Sequence, residues 1–124
     1  MAGRPSIGVR IPQYGATWDE ILGTARRAEA LGFDGVWVND HLQSPGRLTD
    51  EPVFDALTTL AALATHTRRV RLGTVVLSAS YRPPAVAAKM LTSIDVHVGA
   101  LAMSEPGAGS DVAEHRADGI PFAA

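Results

Sequence analysis

Short apolar runs alternate along the chain with stretches in which apolar residues recur every three or four positions. Ile7–Ile11 is a short run closed by Pro12, with Gln13, Tyr14 and Gly15 following as turn formers, and reads as a first strand and its loop. Thr17 and Glu20 then have capping-box spacing. Trp18, Ile21, Leu22, Ala25, Ala28 and Leu31 recur at helical intervals until Gly32 offers a left-handed stop. One face of this helix is expected to be buried and the other, with Arg26, Arg27 and Glu29, solvated.

Val36-Trp37-Val38 has the branched and aromatic composition of a strand covered on both faces, and Asn39, Asp40 and His41 stand at its C-terminal end. After a polar loop, Asp50 and Pro52 are expected to open a second helix, with Phe54, Leu57, Leu60, Ala61 and Ala64 as its apolar stripe, running to about His66. Val70–Leu77 reads as a third strand, and a third helix is expected from about Pro84 to Ile94. Three βα units in succession imply parallel strands and an α/β fold. An open doubly wound sheet could be complete near this length, whereas a (β/α)8 barrel takes about 250 residues. Periodicity alone leaves both open.

In either architecture the working face lies at the C-terminal ends of the strands, where three clusters fall: Pro12–Tyr14, Asn39–His41 and Ser78–Arg82. Asp40-His41 is the most chemically suggestive. An imidazole moves a proton near neutral pH, and a carboxylate beside it can orient it or bind a cofactor, although such a pair can also simply cap a turn. Arg82 has a fork suited to phosphate or carboxylate, but a surface arginine before a proline turn is the expected reading. Gly73 inside the third strand suits either a close approach by a ligand or a bulge. His66, His97 and His115 lack metal-ligand spacing among themselves, and no metal site is expected.

Composition narrows the partners. The chain has 124 residues, 46% hydrophobic and 19% charged, with a net charge of −2, which suits one globular domain and gives no basic patch for nucleic acid or an anionic membrane. The absence of cysteine excludes disulfides and thiol chemistry and fits a reducing, cytoplasmic setting. Met1–Ser6 has no apolar stretch after Arg4, and no long apolar run follows, so neither a leader nor a membrane span is expected. Lys89 is the one lysine against ten arginines, a bias expected of a GC-rich bacterial genome.

Ile7–Gly15, the stretch Ala28-Glu29-Ala30-Leu31-Gly32-Phe33-Asp34-Gly35-Val36-Trp37-Val38-Asn39-Asp40-His41, then Arg71–Leu77 and Arg82-Pro83-Pro84-Ala85 together resemble the luciferase-like monooxygenase family. The resemblance covers about residues 5–97. It implies part of a (β/α)8 TIM barrel, about three βα units, in an oxidoreductase that uses FMN or coenzyme F420 on a small organic substrate. It further implies that Asp40 contacts the cofactor and His41 exchanges a proton. Gly73, Thr74, Val75 and Val76 then belong to the cofactor-facing segment, with a non-proline cis peptide at Val75-Val76.

After Asp95 the expected continuation, a Ser-x-Gly-Arg segment and a glycine-rich strand, is missing. Residues 99–112 resemble instead the Met-Ser-Glu-Pro-x-Ala-Gly-Ser-Asp signature of acyl-CoA dehydrogenases, which implies a flavin-binding segment. The helical domains that accompany it in that family are absent, so Ser104, Glu105 and Ser110 receive no catalytic role. Residues 98–124 are therefore expected to form a flexible, loop-like tail behind a truncated barrel segment at 1–97. Three strands cannot close an eight-stranded barrel. The alternative to an oxidoreductase is thus a non-catalytic fragment or fusion remnant that self-associates through its open sheet edge.

Overall fold

Helix α1 (Trp18–Ala30) starts at the predicted capping box: the Thr17 hydroxyl accepts from the Glu20 amide, and the Glu20 carboxylate accepts from the Thr17 amide. It ends in a Schellman turn. Gly32, at φ 87°, lets its own amide reach the Glu29 carbonyl and the Phe33 amide reach the Ala28 carbonyl. Ile21, Ala25 and Ala28 face the core. Glu29 departs from the expected solvated face. Its Oε1 accepts the amides of Arg68, Arg69 and Val70 at 2.9, 2.6 and 2.9 Å, fastening the helix to the loop that enters the third strand.

The computed structural model describes residues 4–44, 51–98, 106–109 and 111–122, with the side chains of residues 97 and 98 excepted. Strands β1 (Gly8–Arg10), β2 (Gly35–Val38) and β3 (Arg71–Thr74) form a parallel sheet in the order β1-β2-β3, with Val9 opposite Val36 and Trp37 opposite Gly73. Gly73 therefore sits in continuous register, with no bulge. Helices α1 and α2 (Ala56–Ala64) return the chain so that each strand runs parallel to the last. The buried core joins Val36, Val38 and Leu72 of the sheet to Ile21, Leu57, Leu60 and Leu63 of the helices. Helix α3 (Pro84–Val98), longer than the expected span to Ile94, adds Ile94 to this core.

Two boundaries differ from the sequence reading. Pro52 does not open the second helix. Its carbonyl accepts the Gly15 amide, and Val53 bridges Tyr14 in antiparallel fashion, so α2 begins only after Asp55, whose carboxylate caps the Thr58 amide. Asp50 lies outside the described residues. The expected third strand is also divided: β3 stops at Thr74, a cis Val75-Val76 peptide follows as the resemblance implied, and the chain resumes as β4 (Leu77–Ser78).

The largest difference concerns the tail. In place of a loop, Pro106–Gly107 form β5, parallel to β4, and Val112–Ala117 form helix α4, capped by the Asp111 carboxylate on the Ala113 and Glu114 amides. Gly107 permits that pairing sterically, since a Cβ there would stand 2.4 Å from Val76 Cγ2. Glu114 and His115 of α4 are buried. Isolated turn formers have no reason to order; here they are ordered by the open edge of β4 and by polar partners in earlier loops. Ser104, Glu105, Ser110 and most of the acyl-CoA dehydrogenase-like segment, residues 99–105, lie outside the described residues. No helix among the described residues is long and apolar enough to cross a membrane.

Candidate functional site

The parallel strands deliver their C-terminal ends to one rim. There a cavity of about 310 Å³ is lined by Asp40 and His41 after β2, Val75, Val76, Ser78 and Tyr81 along and after the divided third strand, and Gly107, Ala108 and Gly109 after β5. One wall is apolar: the Val75 and Val76 side chains stand half exposed in an otherwise buried stretch. The other is polar, with an imidazole, two hydroxyls and backbone. Apolar walls joined to a few convergent polar groups are the usual form of a small-molecule site.

Asp40 does not present a free carboxylate to this cavity. Its side chain is 1% exposed and takes a bidentate bond from Arg82, at 2.7 and 2.9 Å, together with the Ser78 amide at 2.8 Å. Arg82 also reaches Asp55 at 2.6 Å and is 12% exposed, so the expected surface arginine is in fact an interior clamp between two carboxylates. Burial pushes the Arg82 guanidinium down, but its bonds and proximity to Asp40 and Asp55 outweigh that and raise its pKa. Burial likewise pushes the Asp55 carboxyl up, while the Thr58 amide and hydroxyl and Arg82 hold it below its ordinary value. Gln13, fully buried, ties the end of β2 to the start of α2: it accepts from the Asn39 amide at 2.6 Å and donates to the Phe54 carbonyl at 2.9 Å.

His41 faces a different carboxylate from the one beside it in sequence. Its Nδ1 stands 2.9 Å from Glu114 Oε2. The Glu114 side chain, 2% exposed, also accepts the Leu42 amide, the Gln43 amide at 2.9 Å and the Tyr81 hydroxyl. Burial raises the Glu114 pKa, yet the bonds from Tyr81, His41 and the two amides hold it below the usual carboxylate range. Burial and the Glu114 carboxylate raise the Tyr81 phenol. Close by, His115 Nδ1 donates to the Asp111 carbonyl at 2.8 Å. In the neutral ring Nε2 therefore accepts from the Ser80 hydroxyl at 2.7 Å, and Ser80 accepts from Ser78 at 3.0 Å.

Of the residues singled out from sequence, the structure brings His41, Asp40, Val75 and Val76 to the cavity, while Gly73 and Thr74 lie in β3 and do not line it. Ser78 and Tyr81 fall in the third strand-end cluster already marked. Glu114 was not foreseen, and residues 107–109, marked from sequence only as part of an acyl-CoA dehydrogenase-like segment in a loose tail, line the cavity. No local signal marks Glu114, which lies 73 residues from His41.

Five depressed carboxyls, those of Glu20, Glu29, Asp34, Asp55 and Glu114, where hydrogen bonds outweigh burial, set the acid response. A folded-state pKa below the unfolded one gives stability that is complete above the unfolded value, 4.5 for Glu and 3.8 for Asp, and is lost as pH falls through the folded value. Thermal melting followed by circular dichroism should thus show a Tm that is level from neutral pH to about pH 5 and falls steadily below it. A Tm rising in that acid window contradicts the assignment of these bonds.

A family model described as luciferase-like monooxygenase matches residues 5–123. The match runs past residue 97, where the sequence resemblance ended, and includes β5 and α4. An F420-dependent glucose-6-phosphate dehydrogenase of Amycolatopsis mediterranei is 37% identical over 78 residues, which are 62% of this chain and 23% of the relative. An F420-dependent secondary alcohol dehydrogenase, solved with an F420-acetone adduct, superposes with a TM-score of 0.79 at 26% identity, over 92% of this chain and 34% of that one. The oxygenating constituent of 3,6-diketocamphane monooxygenase from Pseudomonas putida, solved with FMN, superposes with a TM-score of 0.74 over 92% of this chain and 32% of that one, and at 17% identity it speaks to fold alone. The chain thus spans about a quarter of the length of the curated relative and about a third of the solved structures.

Proposed function

Since the chain belongs to the luciferase-like monooxygenase family, we propose that it carries the ring-binding corner of an F420-dependent oxidoreductase acting on a small organic substrate. The observation that carries this reading is the cavity itself: an apolar Val75-Val76 wall across from the His41 imidazole, at the C-terminal rim of parallel strands. A planar tricyclic ring has one face to press on branched side chains and an edge of polar atoms for Ser78, Tyr81 and the 107–109 backbone. Bound there, F420 or a reduced flavin supplies the hydride chemistry. The protein's part is to hold the ring and exclude water on the valine side, and to exchange a proton at His41.

Asp40 acts in this reading as a wall brace. With its oxygens given to Arg82 and the Ser78 amide, it sets where Ser78 stands, and its contribution to cofactor binding runs through that placement. Gly73 and Thr74 end β3 directly before the valine segment and fix where it leaves the sheet. Among the described residues no lysine or arginine lines the cavity, so this lining suits the ring and gives a phosphate-bearing tail no counter-charge. That predicts modest, micromolar affinity.

The chain provides a three-stranded sheet, β1-β2-β3, and a two-stranded one, β4-β5, which fall short of an eight-stranded barrel, so ring binding is expected without efficient turnover. Its edge strands, β1 and β3 of one sheet and β4 and β5 of the other, each have one pairing partner among the described residues, which favours a second reading: a non-catalytic fragment that associates through open edges in the cytoplasm. Titrating the purified chain with F420 and, separately, FMN, with fluorescence as the readout and light scattering for mass, tests both. Saturable binding with F420 the tighter ligand is the expected result. No saturable change with either ligand, from a folded chain, contradicts the proposal and leaves the second reading.

A further inference from the structure

We propose that Glu114 is a positioning residue for His41, holding the imidazole in its Nδ1–H tautomer so that Nε2 is the nitrogen left to exchange a proton on the cavity side. An ionised carboxylate can only accept, and Glu114 Oε2 stands 2.9 Å from His41 Nδ1, so that nitrogen carries the hydrogen. The carboxylate is itself anchored. Its other donors, the Leu42 and Gln43 amides and the Tyr81 hydroxyl, fix it whether or not the imidazole is in place. Two of those donors, the amides, belong to the turn that follows His41, so a single buried side chain sets both the path of the loop and the orientation of the ring. His41 is 30% exposed and lines the cavity, with the Tyr14 ring 6.4 Å away in tilted contact.

Helix α4 thereby gains a purpose that its sequence surroundings conceal. Asp111 caps it, its first turn buries Glu114, and the neighbouring His115 is bonded to Ser80, so the short helix is anchored where it presents the carboxylate. The Asp40 carboxylate, adjacent to His41 in sequence, is occupied by Arg82 and Ser78 and leaves this task to Glu114.

The use of Nε2 as the exchanging nitrogen rests on the proposed function; the tautomer does not. Long-range 1H–15N correlation of the full chain labelled at histidine reads the tautomer of His41 directly, with no ligand present. Wild type is expected to show the Nδ1–H form. Glu114→Gln keeps an oxygen for the Leu42 and Gln43 amides but turns an NH2 towards His41, so the spectrum should invert to the Nε2–H form while the backbone amide pattern is kept. Tyr81→Phe, which removes a different donor from Glu114, should leave the tautomer unchanged. An Nε2–H form in wild type, or no inversion in a folded Glu114→Gln chain, overturns the proposal. If Glu114→Gln does not fold, the wild-type spectrum alone decides. F420 titration of the same samples separates the two ideas: absent binding with an Nδ1–H His41 removes the functional reading, and binding with an Nε2–H His41 removes the positioning role.

Discussion

Replacing Arg82 with methionine should cost about 3–5 kcal/mol of folding stability, because it leaves the Asp40 carboxylate buried without its counter-charge. Arg82 is 12% exposed and Asp40 1%, and the same guanidinium bonds Asp55, the cap of α2. Exposed ion pairs are worth far less, about 0–1 kcal/mol, so the magnitude discriminates an interior clamp from a surface pair. Arg82→Lys keeps the charge but has no planar fork to bridge both Asp40 oxygens and reach Asp55 together, and should fall between wild type and Arg82→Met. Urea unfolding followed by circular dichroism measures all three. A loss below about 1 kcal/mol for Arg82→Met means that water reaches the cluster and that Asp40 is available for other work.

Leu60→Ala should cost about 2–5 kcal/mol, the usual range for emptying a fully buried leucine position. Leu60 is 0% exposed on α2, the helix that packs against both β3 and α3. Its methyls therefore fill the space between sheet and outer helix. Leu60→Met, nearly equal in volume, should cost less than about 1.5 kcal/mol. A domain of this size has a total stability of about 5–15 kcal/mol, so the alanine variant stands near the edge of folding. The midpoint of urea unfolding should fall with an unchanged slope, and a changed slope indicates that the rest of the sheet has loosened with it. Because Asp55 caps this helix, the same variant should also weaken the Arg82 clamp and with it the Ser78 wall.

How much of this was legible in sequence depends on how local each feature is. The capping box at Thr17 and Glu20 and the Gly32 stop are local, and α1 follows them closely. The Asp40-His41 pair could be placed at a strand end because βα order alone dictates which end is functional. Non-local hydrogen bonds were hidden. Glu29 looked solvated by helical phase, yet its length lets it reach three amides about 40 residues on. Pro52 had the composition of a helix start, but its segment is drawn into a bridge with the loop after β1. Residues 106–117 had the composition of a loose tail. They are ordered by the open edge of β4 and by the donors that converge on Glu114, none of which adjacent sequence announces.

The central claim is that the cavity between the valine segment and His41 binds the deazaflavin ring. Amide chemical-shift mapping of the 15N-labelled chain during F420 titration tests it most directly, since a second cavity of about 290 Å³ at the opposite rim, lined by Ile7, Leu31 and Phe33 among others, serves as an internal control. Saturable shifts confined to Asp40, His41, Val75, Val76, Ser78 and Gly107–Gly109 are the predicted result. Shifts clustered at Arg4, Ile7 and Leu31–Asp34, or none at any F420 concentration, contradict the account.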